Sequence, residues 1–291
     1  MVRISFSPRL IYMPSFLPTR AIRAKMRFMG KTIEEVSEND LDELRSRIES
    51  LQSETPLVTI ALIARNEERN ILSTLDSLSS IKSMYPLEIV VIDNDSEDLT
   101  PQTIQACGAH YFHLEKLGAC HARQKSLDVC RGTYLICGDA DTLYQAGWVD
   151  MLIGPLERES GIICTSGLHA PLTEDGRVPI NLLLYTWAKY ISVILKSFKR
   201  PHNVIGGAGM AFRKNDALSV GGFDLSKTRG SDGTMAFDLS KLGRIKLIHS
   251  SKAMIWTSIR RTLKDDSLLK AFVRRFRGIM STDLIFRQYE K

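Results

Sequence analysis

The sequence has little of what marks several common protein classes. Its 291 residues include five cysteines (Cys107, Cys120, Cys130, Cys137 and Cys164), and no two form a CxxC pair. The odd count and the scatter exclude a disulfide framework and argue against a structural zinc site. They fit reduced, buried thiols in a cytosolic protein. No apolar run reaches spanning length: the closest, Ile180 to Leu195, is interrupted by Lys189 and falls below the roughly 18 apolar residues a crossing helix needs. The opening stretch MVRISFSPRLIYMPSFLP carries arginines and prolines where a secretory leader needs an unbroken apolar core. Its Arg-rich, acid-poor character has only a weak likeness to an organellar transit segment. Internal repeats and low-complexity tracts are absent, and so is the alternation of aromatic and basic residues that marks a nucleic-acid surface.

What is present is ordinary globular composition, 44% hydrophobic and 25% charged, at a length that suits one large domain or two tightly packed halves. The net charge of +6 is unevenly spread. Residues 1–32 hold seven Lys/Arg and no acid, residues 33–50 hold seven acids against Arg45 and Arg47, and residues 244–291 hold twelve Lys/Arg against four acids. Basic ends of this kind suit polyphosphate ligands, anionic lipid or nucleic acid, or are simply solvated surface.

Residues 1–54 read as an extension, with a polar, acidic helix over Thr32–Leu51 and a boundary at Thr55-Pro56. A regular rhythm follows. LVTIALI (57–63), EIVVI (88–92), AHYFHL (109–114) and TYLICG (133–138) are short apolar strands. Helices are expected between them, one capped by Asn66, one starting at Thr100-Pro101, and one over Gly118–Cys130. Strand and helix alternating over short links predict an α/β fold with a mostly parallel sheet covered on both faces. Beyond residue 150 the rhythm breaks: a helix over 151–159, a strand over 161–167, a long apolar helix from Ile180 to Phe198, a glycine cluster in IGGAGMAF (205–212), and a basic amphipathic helix near the end.

In open α/β sheets ligands bind beyond the carboxyl ends of the strands. Four features gather there: Ala64-Arg65-Asn66-Glu67, Asp93-Asn94-Asp95-Ser96, Arg123 with Lys125, and Asp139-Ala140-Asp141. In an extended chain residues i and i+2 point to one side. Asp139 and Asp141 therefore read as an oxygen-rich site for Mg²⁺ or Mn²⁺, whose shells are completed by water and phosphate oxygens. The bland alternative is a solvated turn with one Asp capping a helix.

From about Leu57 to Arg261 the chain resembles a family 2 glycosyltransferase of the GT-A fold. The likeness rests on six stretches in order: IALIARNEERNI, VVIDNDSED, GACHARQKSL, CGDADTL, GGAGMAFRKNDALSVGGFD and RGSDGTMAFDLSKLGRI. The fourth resembles the family's metal-binding D-x-D. In the third, Gln124 replaces the family's Asn. In the sixth, Ser231-Asp232 stands where the family has Glu-Asp, and Asp238 where it usually has Arg.

The resemblance implies an inverting transferase that takes a nucleotide-sugar donor, with UDP-sugar first among candidates, and needs Mn²⁺ or Mg²⁺. Residues 55–150 would form the donor half, 151–262 the acceptor half, and 263–291 a basic C-terminal helix. Asp93 would meet the base or ribose, with Ala64 and Asn66 lining the pocket and Arg65 reaching a phosphate. Arg123 would point at the nucleotide. Asp139 would bind ribose or a metal-bound water, beside Ala140, and Asp141 would ligate the metal. Arg260 and Arg261 would close over the donor, and His249 is a candidate extra ligand. Asp232 is the expected general base, its alternative role being the cap of a helix over 233–241. The expected acceptor is a carbohydrate or a lipid-linked sugar in polysaccharide or glycolipid assembly. The expected setting is the cytoplasm, with peripheral contact at the inner face of a membrane through the Ile180–Phe198 helix. Two other readings compete. A sugar-nucleotide nucleotidyltransferase would carry a glycine-rich loop after the first strand, where this chain has ALIARNEER. A non-catalytic nucleotide or nucleic-acid binding module lacks any supporting motif.

Overall fold

The computed structural model describes residues 14–199, 201–228 and 230–260. Arg261 and the helix expected over 263–291 lie outside the described residues.

The expected alternation is present from Val58 onward. Strands β1 (Val58–Ala64), β2 (Leu87–Asp93), β3 (His110–His113) and β4 (Tyr134–Asp139) pair in parallel in the order β3-β2-β1-β4. β1 and β2 are rich in Val, Ile, Leu and Ala and buried along nearly their whole length, as strands covered on both faces must be. The helices between them are α3 (Ile71–Leu78), α4 (Thr100–Ala106) and α5 (Ala119–Val129). Pro101 sits in the first turn of α4, where a missing N–H costs nothing. The register sets Ala64 against Asp93 and Ile63 against Asp139. Three strands therefore end at one rim.

Four short strands follow: β5 (Thr142–Leu143), β6 (Ile162–Ser166), β7 (His169–Leu172) and β8 (Met210–Arg213), then β9 (Arg244–Leu247) and β10 (Ile255–Ser258) near the end. β8 runs antiparallel between β4 and β6, and β9 closes the seven-stranded sheet parallel to β6. β5, β10 and β7 make a separate three-stranded sheet. The helices of this half are α6 (Trp148–Arg158), α7 (Ile180–Lys199), α8 (Lys214–Ser219) and α9 (Ser231–Leu239).

One core lies between the main sheet and α3, α4 and α6, and another between the opposite face and α5, α8 and α9. Residues 14–54 are built into these layers. They carry α1 (Arg20–Ala24) and α2 (Glu38–Glu49), and α2 is shorter than the helix expected over 32–51 because Ser37 caps it. Phe28, Leu44 and Ile48 join the first core, each burial contributing about 1.5–3 kcal/mol. Phe16 and Ile22 join a third, over the small sheet, with Trp187 and Tyr190 of α7 beside them.

Candidate active site

The rim is assembled by side chains that tie one loop to the next. Asn66 does not cap α3, which starts five residues later at Ile71. It takes a left-handed φ of 52°, a conformation Asn tolerates. From there its N–H donates to Ser96 Oγ at 2.9 Å, and its Oδ1 accepts from Glu97 N–H at 2.9 Å. Glu67 N–H donates to Thr100 Oγ1 at 2.8 Å. The loops after β1 and β2 are thus one lattice. Arg65 projects from it, exposed and with no carboxylate beside it among the described residues.

Asp93 is fully buried. It accepts from Ser96 N–H at 3.3 Å and from the Tyr111 hydroxyl at 3.2 Å, with His113 Nδ1 at 3.3 Å. It holds its own turn and anchors the loop that faces the rim. Asn94 Oδ1 accepts from Gly118 N–H at 2.8 Å and so fixes the start of α5. Gly118 has φ 128°, a value that side chains rarely adopt.

α5 delivers Arg123 into the protein, where it is 1% exposed. Its Nη1 donates to Gly138 O at 2.7 Å, its Nη2 to Asp139 Oδ1 at 2.6 Å, and its Nε to Asp232 Oδ1 at 3.2 Å. One planar guanidinium thereby joins the end of β4 to the first turn of α9. Burial opposes its charge, but Asp139 and Asp232 more than offset this, and its pKa rises above its already high ordinary value. Asp232 lies within the first turn of α9; Gly230 is the residue at the cap. Burial raises the Asp232 pKa above the ordinary 3.8, Arg123 opposes the rise and Asp139 adds to it.

Asp139 and Asp141 flank Ala140, whose buried side chain points to the core and whose carbonyl accepts from Thr74 Oγ1 at 2.8 Å. Ala64 is likewise buried, its carbonyl taken by Asn94 N–H at 2.8 Å. Both alanines are scaffold. The Asp139 side chain is 33% exposed and meets Arg123 through Oδ1. Asp141 is buried, and its carbonyl accepts from Ser258 N–H at 3.0 Å. Asp139 and Asp232 share the one buried guanidinium of Arg123, and Asp141 follows two residues beyond Asp139. The oxygen donors of Asp139 and Asp141 fit Mn²⁺ or Mg²⁺. His249 does not complete the set: it is exposed after β9, edge-on to Tyr190 at 6.2 Å, and no group of three metal-capable side chains occurs among the described residues.

Several contributors carry no motif. Tyr144 is buried, accepts from Asp139 N–H at 2.9 Å and donates to Asp139 O at 3.1 Å, so it pins the strand end. Burial raises its pKa, so it stays neutral. Glu67, also buried, holds Arg260 by an ion pair across the rim. Gly207 lies so close to the central pair that a Cβ there would overlap the Asp232 carboxylate and come within 3.0 Å of Arg123 Nη2. The next residue, Ala208, accepts from His169 Nε2 at 2.7 Å. Gln124 accepts from Phe223 N–H at 2.8 Å, and Asp238 pairs with Lys241 at 2.6 Å. Two of the three departures from the family pattern, Gln124 and Asp238, therefore have local partners.

Residues 59–221, more than half of the chain, match the family model described as Glycosyl transferase family 2. An uncharacterized protein of Mycobacterium tuberculosis (strain H37Rv) is 26% identical over 165 residues, 51% of this chain and 46% of that protein. A counterpart in Mycobacterium bovis matches equally. The chain spans about half the length of these relatives. Among solved structures, glucosyl-3-phosphoglycerate synthase from M. tuberculosis, in complex with Mn²⁺, UDP-glucose and phosphoglyceric acid, superposes with a TM-score of 0.51 at 19% identity, over 85% of this chain and 83% of that one. The mannosyltransferase PcManGT from Pyrobaculum calidifontis, in complex with GDP-Man and Mn²⁺, gives 0.52 at 18% identity, over 78% and 70%. At these identities the likeness is one of fold.

Proposed function

The chain belongs to glycosyl transferase family 2, and on that premise we propose that it transfers a sugar from a nucleoside-diphosphate donor to an acceptor hydroxyl, with inversion and with Asp232 as general base. The observation that carries the reading is the Arg123 bridge, which sets the acidic end of β4 and the carboxylate of α9 on one guanidinium. A donor-binding group and a proton acceptor are thereby held in fixed relation.

Asp139 and Asp141 would hold Mn²⁺ or Mg²⁺, and the ion would supply positive charge where the departing diphosphate gathers negative charge. The two structural neighbours, with UDP-glucose or GDP-Man beside Mn²⁺, support this assignment. Arg65, exposed and uncommitted among the described residues, would bind a phosphate. Arg260, held by Glu67, would brace the closing segment and add less charge. The nucleoside would lie against the loop that Asp93 anchors, beside Asn66. Asp232 would take the acceptor proton as the new C1–O bond forms from the face opposite the leaving group. Arg123 keeps that carboxylate oriented.

The test is a screen of UDP-, GDP- and dTDP-sugars with Mn²⁺ or Mg²⁺, read as release of nucleoside diphosphate. Release should require the metal, vanish with chelator, and be lost in Asp141→Asn. Release of pyrophosphate in place of nucleoside diphosphate, or no turnover with any donor and metal, would overturn the proposal.

A further inference from the structure

α7 is apolar on more of its surface than its packing uses. Leu182 and Tyr190 face inward and are buried, and Phe16 of the N-terminal segment stacks edge-on with Trp187 and Tyr190 at 5.2 and 5.5 Å. On the outward side Ile180, Leu184, Ile191 and Leu195 are 70%, 62%, 54% and 55% exposed. At 3.6 residues per turn these four fall within an arc of about 60°, so they form one continuous stripe. Leu17, next to Phe16, is a further exposed apolar residue on the adjoining segment. Scattered exposed leucines need no explanation, but a stripe of four large side chains on one helix does.

The charge along α7 itself has one sign, although Glu174 and Asp175 lie ahead of it and Asp175 pairs with Arg177 at 4.0 Å. From Gly176 to Val204 the sequence carries five Lys/Arg and no acid, and residues 14–32, which pack beside α7, also lack acids. Lys196 is exposed on α7, and Arg20 and Arg23 on α1. No helix of the described residues is long and apolar enough to cross a membrane. We propose that this face of α7 is a docking surface for an anionic lipid bilayer, with the stripe lying in the interface and the neighbouring cations on the headgroups. The charge complementarity selects lipid over a second copy of the chain, because two copies meeting face to face would bring these cations together.

The location gives the docking a use. α7 packs on the turn Pro201–Val204, and that turn packs on α9, whose first turn carries Asp232. α7 is therefore linked through one turn to the helix that carries the candidate base, so docking there would bring that helix near an acceptor held in the bilayer. This consequence rests on the transfer proposed above. The docking does not, and its test needs no nucleotide or sugar, so either can fail without the other.

The experiment is flotation of the full chain with phosphatidylcholine vesicles, with and without phosphatidylglycerol. The chain should float with anionic vesicles and be released by salt. The double substitution Leu184→Glu/Ile191→Glu, at exposed positions that leave the fold intact, should weaken partitioning about tenfold or more. Quenching of tryptophan by brominated lipid gives a second reading. Trp148 and Trp256 are fully buried, so the quenching should come from Trp187 and disappear in Trp187→Phe. Three results would overturn the proposal. The first is a chain that stays in solution with anionic vesicles. The second is a double variant that floats as well as the parent, which would place lipid binding elsewhere. The third is a dimer, seen in sedimentation, that the same pair dissociates, with no lipid binding.

Discussion

Arg123 and Asp232, separated by 109 residues in sequence, meet at 3.2 Å with the guanidinium almost wholly buried. The contact holds Asp232 in place and moderates its basicity. Burial alone would push the carboxyl further up; the adjacent cation restrains the rise. A base of this kind is a stronger proton acceptor than an exposed Asp.

The sign of the pH dependence follows. The base works only when deprotonated, so transfer should fall as pH is lowered through its raised pKa. The acid limb of the rate profile should therefore lie above 3.8, the ordinary value for the side chain. Asp232→Asn keeps the shape and leaves Arg123 paired with Asp139. It should preserve donor binding by calorimetry while lowering turnover about 10²–10⁴-fold. Full turnover in that variant would remove Asp232 from the chemistry.

Gly207 faces this pair with no space to spare. Gly207→Ala should displace the Asp232 carboxylate and cost about 1–3 kcal/mol of stability through overpacking. If the clash is with that side chain, most of the loss should vanish in an Asp232→Ala background. Thermal melting of the four members of the cycle measures the coupling.

The sheet that builds the site was legible because β1, β2 and β4 are buried along nearly their whole length and so are mostly apolar, with Thr59 and Glu88 paired to each other inside. The i, i+2 carboxylates at the end of β4 were legible for the same local reason. What escaped depends on contacts distant in sequence. Asn66 looks like a helix cap until Ser96 and Glu97 bind it from the next loop. Phe16 and Phe28 follow no period, because one packs on α7 and the other on the main core. The small sheet joins Thr142 to Thr257 and Trp256 to Ala170, and a two-residue strand such as β5 has no pattern of its own. Tyr144, Glu67 and His169 act through hydrogen bonds or ion pairs that no motif announces.

His169 should give the fold an acid-sensitive element. Its Nε2 meets a carbonyl, which can only accept, so that nitrogen carries the proton. Burial lowers its pKa from 6.5 to about 4, and the nearby Lys189 charge adds to this. The unfolded chain then binds a proton that the folded chain resists between those values. Stability is thus full above pH 6.5 and declines as pH falls towards about 4, by at most about 3 kcal/mol from this residue. His169→Gln can keep an N–H donor and does not titrate. Its denaturant-derived stability should fall less than the parent's over that interval, and equal slopes would exclude the effect.

Asp76 ties the N-terminal segment to the catalytic layers. Its side chain is fully buried on α3, and Arg47, Arg27 and Lys25 reach it at 2.7, 3.1 and 3.6 Å. Burial lowers the Lys25 pKa while Asp76 acts to raise it. Three cations converge on one carboxylate, so removing its charge leaves them repelling one another around a buried polar side chain. Asp76→Asn should cost about 3–5 kcal/mol, the range for breaking a buried pair. The damage should begin in the segment, because α3 keeps its own apolar contacts while residues 25–32 lose their anchor. Trypsin should then cut after Lys25 or Arg27 sooner than in the parent, before the sheet is attacked. Salt should reproduce little of this in the parent protein, since the carboxylate is shielded from the ions of the solvent. Digestion timed by mass spectrometry distinguishes the cases: a parent-like pattern in Asp76→Asn would mean that Phe28, Leu44 and Ile48 hold the segment without electrostatic help.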